Sequence, residues 1–169
     1  MIDNYSLSYN SNFYQRFKTV NQLPSFPKNI EVSPGCIEPI IIRQEGLTLA
    51  WIMKWGLIPF WAKERGVSRH MFNVNAESLT TKLGFRKSFK TQRCLVPANN
   101  FSDIDNQPYF AFAGVYDVWV EPVSGHEVYT YAIIVAGKNR LPVILKSSDE
   151  QIWLSEQTSI STLKNIIRF

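Results

Sequence analysis

The sequence predicts an α+β domain built on a mostly antiparallel β-sheet, with short helices at its periphery. Three observations lead there. Stretches rich in β-branched and aromatic residues recur at 39–43, 47–55, 109–120 and 127–136. Two gaps between them are short and hold turn residues, Glu45-Gly46 and Pro122 to Gly125. Helical spacing is confined to short segments, so the chain lacks the strand–helix alternation of a wound parallel sheet.

In chain order, Phe13 and Phe17 lie four apart on what reads as one face of a short helix within 11–19. Residues 21–39 carry Pro24, Pro27, Pro34 and Pro39 and read as an extended loop. Pro39 to Arg43 and Leu47 to Trp55 read as a hairpin, and 56–69 as an aromatic loop. Residues 75–83 favour a helix that 84–91 extends by a second helical turn, and Cys94 to Pro97 is a short buried strand. Two long strands (109–120 and 127–136) and a shorter one (141–145) follow. Ile160, Leu163 and Ile166-Ile167 make 149–168 helical.

The chain has 169 residues, enough for a single domain with a sizeable core. Hydrophobic residues make up 45% and charged residues 19%, which excludes a disordered chain. The net charge of +4 permits nucleic-acid binding without demanding it. Cys36 and Cys94 are far apart, form no CxxC pair and read as buried thiols. His70 and His126 have no partner at ligand spacing, so neither a metal nor a cofactor is expected. No signal peptide and no membrane span is read at the polar N-terminus or in the longest apolar run, Tyr131 to Ala136. A cytoplasmic monomer is the expectation.

Three segments carry residues suited to chemistry or binding. Trp55-Gly-Leu-Ile-Pro-Phe-Trp-Ala-Lys63 sets two tryptophans in a stiff loop flanked by Lys54 and Lys63. It reads either as two core anchors or as a stacking platform for single strands. Phe85-Arg-Lys-Ser-Phe-Lys-Thr-Gln-Arg93 interleaves Arg86, Lys87, Lys90 and Arg93 with two phenylalanines. It reads either as a solvated amphipathic helix or as a phosphate-contacting one. Asn73-Val-Asn-Ala-Glu-Ser78 suits helix capping as well as a polar site. No P-loop, GxGxxG, GxSxG or HExxH is present.

In this order the segments resemble the SRAP family (SOS response-associated peptidase). The likeness is carried by Trp55 to Lys63, Asn73 to Ser78, Phe85 to Phe89, Arg93 to Ala98, Gln107 to Tyr109, Phe110 to Val115 and Arg140 to Leu145. It implies a barrel-like fold and a partner, single-stranded DNA with abasic sites, in the SOS DNA-damage response. It also implies nucleoid association where DNA is bound. The family's chemistry uses an amino-terminal cysteine whose α-amine condenses with the abasic aldehyde and whose thiol closes a thiazolidine ring. The product is a stable DNA–protein cross-link.

By the resemblance, Ile2 stands at the position of that cysteine, Asp3 at a glycine and Asn4 at a DNA-facing arginine. Asn73 matches a site asparagine, Asn75 replaces an arginine, and Glu31 stands at an asparagine. Asp103 replaces the proton-transferring glutamate, and Lys138 falls at the histidine position. The degenerate catalytic set is then Asn73, Asp103 and Lys138. The DNA-contacting set is Trp55, Trp61, Asn75, Arg86 and Arg93. The expectation is a DNA-binding domain unable to close the stable ring. The alternatives are reversible imine chemistry at the Met1 amine, or a decayed paralogue acting as an interaction domain.

Overall fold

The computed structural model describes residues 1–24, 30–101 and 109–168. Its strands are β1 (Tyr5–Leu7), β2 (Ile30–Val32), β3 (Ile37–Gln44), β4 (Leu47–Trp55), β5 (Asn73–Asn75), β6 (Arg93–Ala98), β7 (Phe110–Val120), β8 (Glu127–Ala136) and β9 (Leu141–Pro142). Its helices are α1 (Asn12–Phe17), α2 (Ala76–Thr81), α3 (Arg86–Thr91), α4 (Ser147–Leu154) and α5 (Ile160–Ile166). Short 3-10 turns lie at Arg65–His70 and Leu83–Phe85.

Five strands close into a barrel in the order β4-β3-β6-β7-β8. Every neighbouring pair along that path is antiparallel, and the seam is a short parallel pairing of Lys54 with Thr130 and Trp55 with Tyr131. The β3–β4 turn is tight because Glu45 and Gly46 both take positive φ, 51° and 78°. On one edge β8 pairs with β7 and then β9, and on the other with β4 and then β5. β6 and β7 approach closely at Gly114, where a Cβ would lie 2.8 Å from Cys94 Sγ. The interior is filled by Ile40, Ala113, Tyr131, Ile133 and their neighbours in one continuous apolar cluster.

The expected α+β barrel with peripheral helices is the observed one, with local differences. β1 and β2 pair with each other within stretches read as a polar terminus and an extended loop. Their partners are remote in sequence, so no local hairpin signal announces them. The strand expected at 141–145 shortens to Leu141–Pro142, and the expected C-terminal helix is two helices. Ser159 starts the second by accepting from Thr162 N–H at 3.2 Å. Cys94 is buried as expected, whereas Cys36 is half-buried in the turn before β3. α1 buries Phe13 and Phe17, and its Arg16 grips Glu150 of α4 through two bonds of 2.8 and 2.7 Å. Among the described residues no helix is long and apolar enough to cross a membrane.

Candidate nucleic-acid interface

The aromatic loop after β4 is tied to the barrel at nearly every second residue. Gly56 N–H donates to Tyr131 O (2.9 Å), Leu57 N–H to Met71 O (2.9 Å) and Ile58 N–H to Thr130 Oγ1 (2.8 Å). Phe60 N–H donates to Asp117 Oδ2 at 2.8 Å, and Trp119 Nε1–H to Ala62 O at 2.7 Å. Gly56 makes the first bend at φ +128°, with Ser68 O only 2.9 Å from where a Cβ would sit. Burial raises the Asp117 carboxyl, and the N–H groups of Phe60 and Val118 with the Lys87 ammonium, 3.8 Å away, oppose that rise. The result is a rigid base carrying two exposed rings, Phe60 and Trp61.

Trp61 forms one wall of an open cleft of about 470 Å³. The other lining residues include His70, Asn73, Asn75, Lys82 and Arg140. β5 explains the two asparagines: residues 73 and 75 share one face of the strand, and Val74 turns to the core. Asn73 Nδ2 donates to Ile2 O at 2.7 Å, while its buried Oδ1 meets no donor among the described residues. Asn75 Oδ1 accepts from Glu77 N–H at 2.9 Å and caps α2. Trp61 donates from Nε1 to Gly84 O at 3.3 Å.

The structure thus brings Trp61, Asn73 and Asn75 together. Ile2 is joined to Asn73, and its side chain is buried in the core cluster. Lys138 is exposed in the turn between β8 and β9, one residue from Asn139, whose carbonyl lies 3.4 Å from the Met1 nitrogen. Arg86 is exposed on α3 but belongs to a different hollow. Asp103 falls outside the described residues.

Two expected DNA contacts are corrected. Trp55 is 1% exposed, donates to Phe72 O at 2.8 Å and lies parallel to Tyr131, so it has no face to offer a base. Arg93 is equally enclosed. Its guanidinium donates to Trp153 O, Phe89 O, Lys90 O and Ser155 O, all at 2.6 Å, and so joins α3 to the end of α4 instead of meeting phosphate. Both have one cause, since an aromatic or cation at the end of an element carries no local mark of which way it points. His70, Lys82 and Arg140 were not foreseen at the cleft. Arg140 had a signal, since it opens the family-like segment ending at Leu145.

Inside the barrel, Tyr5 Oη and Tyr131 Oη are hydrogen-bonded at 3.0 Å. Burial pushes both phenols up, and the charge of Glu38 adds to it. Glu38 itself is 2% exposed, with one carboxylate oxygen unpartnered among the described residues. Burial lifts its carboxyl from 4.5 to about 7.

Comparison with known proteins places this architecture. The chain matches the model of the SOS response associated peptidase (SRAP) family over residues 4–168. It is 34% identical over 130 residues to the abasic site processing protein YoqW of Bacillus subtilis, covering 63% of this chain and 58% of that one. To the abasic site processing protein YoaM of the same organism it is 32% identical over 139 residues, covering 68% and 61%. To the abasic site processing protein HMCES of Xenopus tropicalis it is 25% identical over 197 residues, covering 90% and 55%. The chain therefore spans less than two thirds of the length of these relatives. Among solved structures, a protein from Bordetella bronchiseptica superposes with a TM-score of 0.74 at 14% identity, covering 98% and 93% of the two chains. A protein from Bacteroides thetaiotaomicron gives 0.71 at 24% identity, covering 82% and 72%. These likenesses in structure bear on the fold alone. With the family pattern running through almost its whole length, the chain belongs to the SOS response associated peptidase family.

Proposed function

We propose that this protein binds single-stranded DNA at abasic sites through the Trp61–Asn73–Arg140 cleft without forming the family's stable cross-link. The observation that carries the reading is the environment of Asn73. Its amide holds the Ile2 carbonyl from one side, and its Oδ1 faces no donor among the described residues, beside an exposed tryptophan and two cations. Trp61 offers a flat ring for a base, worth about 1–3 kcal/mol per stacked base. Lys82 and Arg140 supply charge for the flanking phosphates. The relatives named as abasic site processing proteins support the choice of lesion.

The chemistry implied by family resemblance ends in ring closure by a thiol, and Ile2 supplies only hydrocarbon. The domain then recognises the lesion and releases it.

The test is incubation with a single-stranded oligonucleotide carrying one abasic site, read by native and denaturing gels, for the wild type and for Ile2→Cys shown by mass spectrometry to have lost Met1, which frees the cysteine α-amine. Expected are binding by both proteins and a heat-stable adduct only with Ile2→Cys. A wild-type adduct that needs no reductant would overturn the loss of cross-linking. Absence of binding by both proteins at low salt would overturn the DNA reading and leave a decayed interaction domain.

A further inference from the structure

α2 has two working flanks. Asn75 and Ser78 face the cleft described above, whereas Ala76, Glu77 and Thr80 face a separate groove between α2, α3 and α5. This groove consists of two hollows, about 200 and 320 Å³, that share Thr80 and Lys164 in their walls. Helical periodicity builds it: α3 contributes Arg86, Phe89 and Lys90, and α5 with the residues after it contributes Ile160, Lys164, Ile167 and Arg168. The smaller hollow has an apolar floor of Leu79 and Phe89 with the half-exposed Ile160 at its edge. Arg86, Lys90, Lys164 and Arg168 stand around the groove against the single carboxylate of Glu77. None of the four makes an ion pair among the described residues.

We infer that this groove docks an acidic segment of a partner protein that carries one bulky apolar side chain. The apolar side chain enters the smaller hollow over Leu79 and Phe89, and its acidic neighbours meet the four cations. Each half of the site fits that occupant. Ile160, 42% exposed at the edge of the hollow, gains by being covered with hydrocarbon, and unpaired cations at the rim steer and orient carboxylates. A nucleic-acid strand fits less well: Phe89 is the one aromatic residue lining the two hollows, and it is buried, so no open ring is offered to a base. The two α2 flanks are separate, so DNA at the cleft and a peptide at the groove are compatible.

The experiment is fluorescence anisotropy of the full chain with a short fluorescein-labelled peptide of Asp, Glu and Ser around one Phe. A matched peptide with Ala in place of Phe is run beside it. Expected is a Kd on the order of tens of micromolar for the Phe peptide, weakened about tenfold by the Ala replacement. Lys90→Glu combined with Lys164→Glu should weaken it by about tenfold or more. Thr80→Phe, which fills the junction of the hollows, should block it too, with an unchanged Tm showing that the fold survives. Equal affinity for the Phe and Ala peptides would overturn the inference, because only charge would then be read. Loss of single-stranded DNA binding in the charge-reversal variant, with peptide binding intact, would instead make the groove a nucleic-acid surface. No binding of the Phe peptide to the wild type would overturn it outright.

Discussion

Replacing Glu38 by Gln should stabilise the protein at pH 7 and above and leave it nearly unchanged below pH 4.5. Glu38 is enclosed in the barrel with one oxygen unpartnered among the described residues, and burial raises its carboxyl from 4.5 to about 7. Below 4.5 the group is protonated in both the folded and unfolded chains, and it contributes no pH dependence. Between 4.5 and 7 the unfolded chain has released the proton and the folded chain has not, so stability falls as pH rises. At about 1.4 kcal/mol per pH unit the loss totals about 3 kcal/mol and is complete above pH 7. The amide of the Glu38→Gln variant has no proton to release, so that decline disappears. Urea unfolding followed by tryptophan fluorescence at pH 5, 6, 7 and 8 measures it. Other titrating groups cancel in the difference between the two proteins. The Gln variant should gain on the wild type from pH 5 to pH 7 and then level off, at about 2–3 kcal/mol. Parallel curves, or a Gln variant less stable at pH 8, would refute the burial argument and imply a proton-independent partner for Glu38.

The remaining predictions concern the aromatic loop and the helices behind it. Trp61→Ala should weaken single-stranded DNA binding by about 1–3 kcal/mol with little change in Tm, measured by anisotropy and calorimetry. Trp55→Ala should do the reverse first: a core loss of about 3–5 kcal/mol in urea unfolding, because the indole is enclosed and bonded to Phe72 O. Arg93→Met should destabilise by about 3 kcal/mol or more, since it takes a donor from four carbonyls, of which Ser155 O keeps Thr158 N–H; the salt dependence of DNA binding should stay as in the wild type. Gly56→Ala should displace the loop, because the new methyl would meet Ser68 O within 2.9 Å at a left-handed φ; reduced DNA affinity together with a lowered Tm is the expected pair of readouts.

Much of the barrel was legible because its strands are runs rich in β-branched and aromatic residues, and because Glu45-Gly46 marks a tight turn. β1 and β2 were not, since three-residue strands paired across about 25 positions leave no periodic trace. The two halves of the Trp55–Trp61 pair show the limit most clearly. In sequence each is an aromatic near a lysine, Trp55 closing an expected strand and Trp61 in the loop after it. Only the bonding of the loop to Thr130, Tyr131 and Asp117, all far along the chain, decides that one ring packs inward and the other stands free. Arg93 follows the same rule, because the carbonyls that claim it belong partly to α4, some 60 residues on. Asn73 and Asn75, read in sequence as suited to helix capping, share a face because β5 pairs as a strand with Ile133 to Val135 of β8, again far along the chain.

The parallel seam between β4 and β8 also has a consequence for how the molecule comes to exist. Lys54 must wait for Thr130, far later in the chain, before the barrel can shut. On a ribosome the β3–β4 hairpin emerges early; Val20 and Asn21 bond the seam-side edge of β4 at Thr48 and Ala50, but its end at Lys54 stays unpaired until β8 has been made. Until then Trp55 lacks Tyr131, the ring it lies parallel to in the finished barrel, so a nascent chain leaves this large apolar side chain uncovered for much of its synthesis. Closure at long range also makes folding slow relative to a helical protein of this size. Weakening the seam, for example at Thr130, should therefore show itself in soluble yield at elevated temperature before it shows in the purified protein.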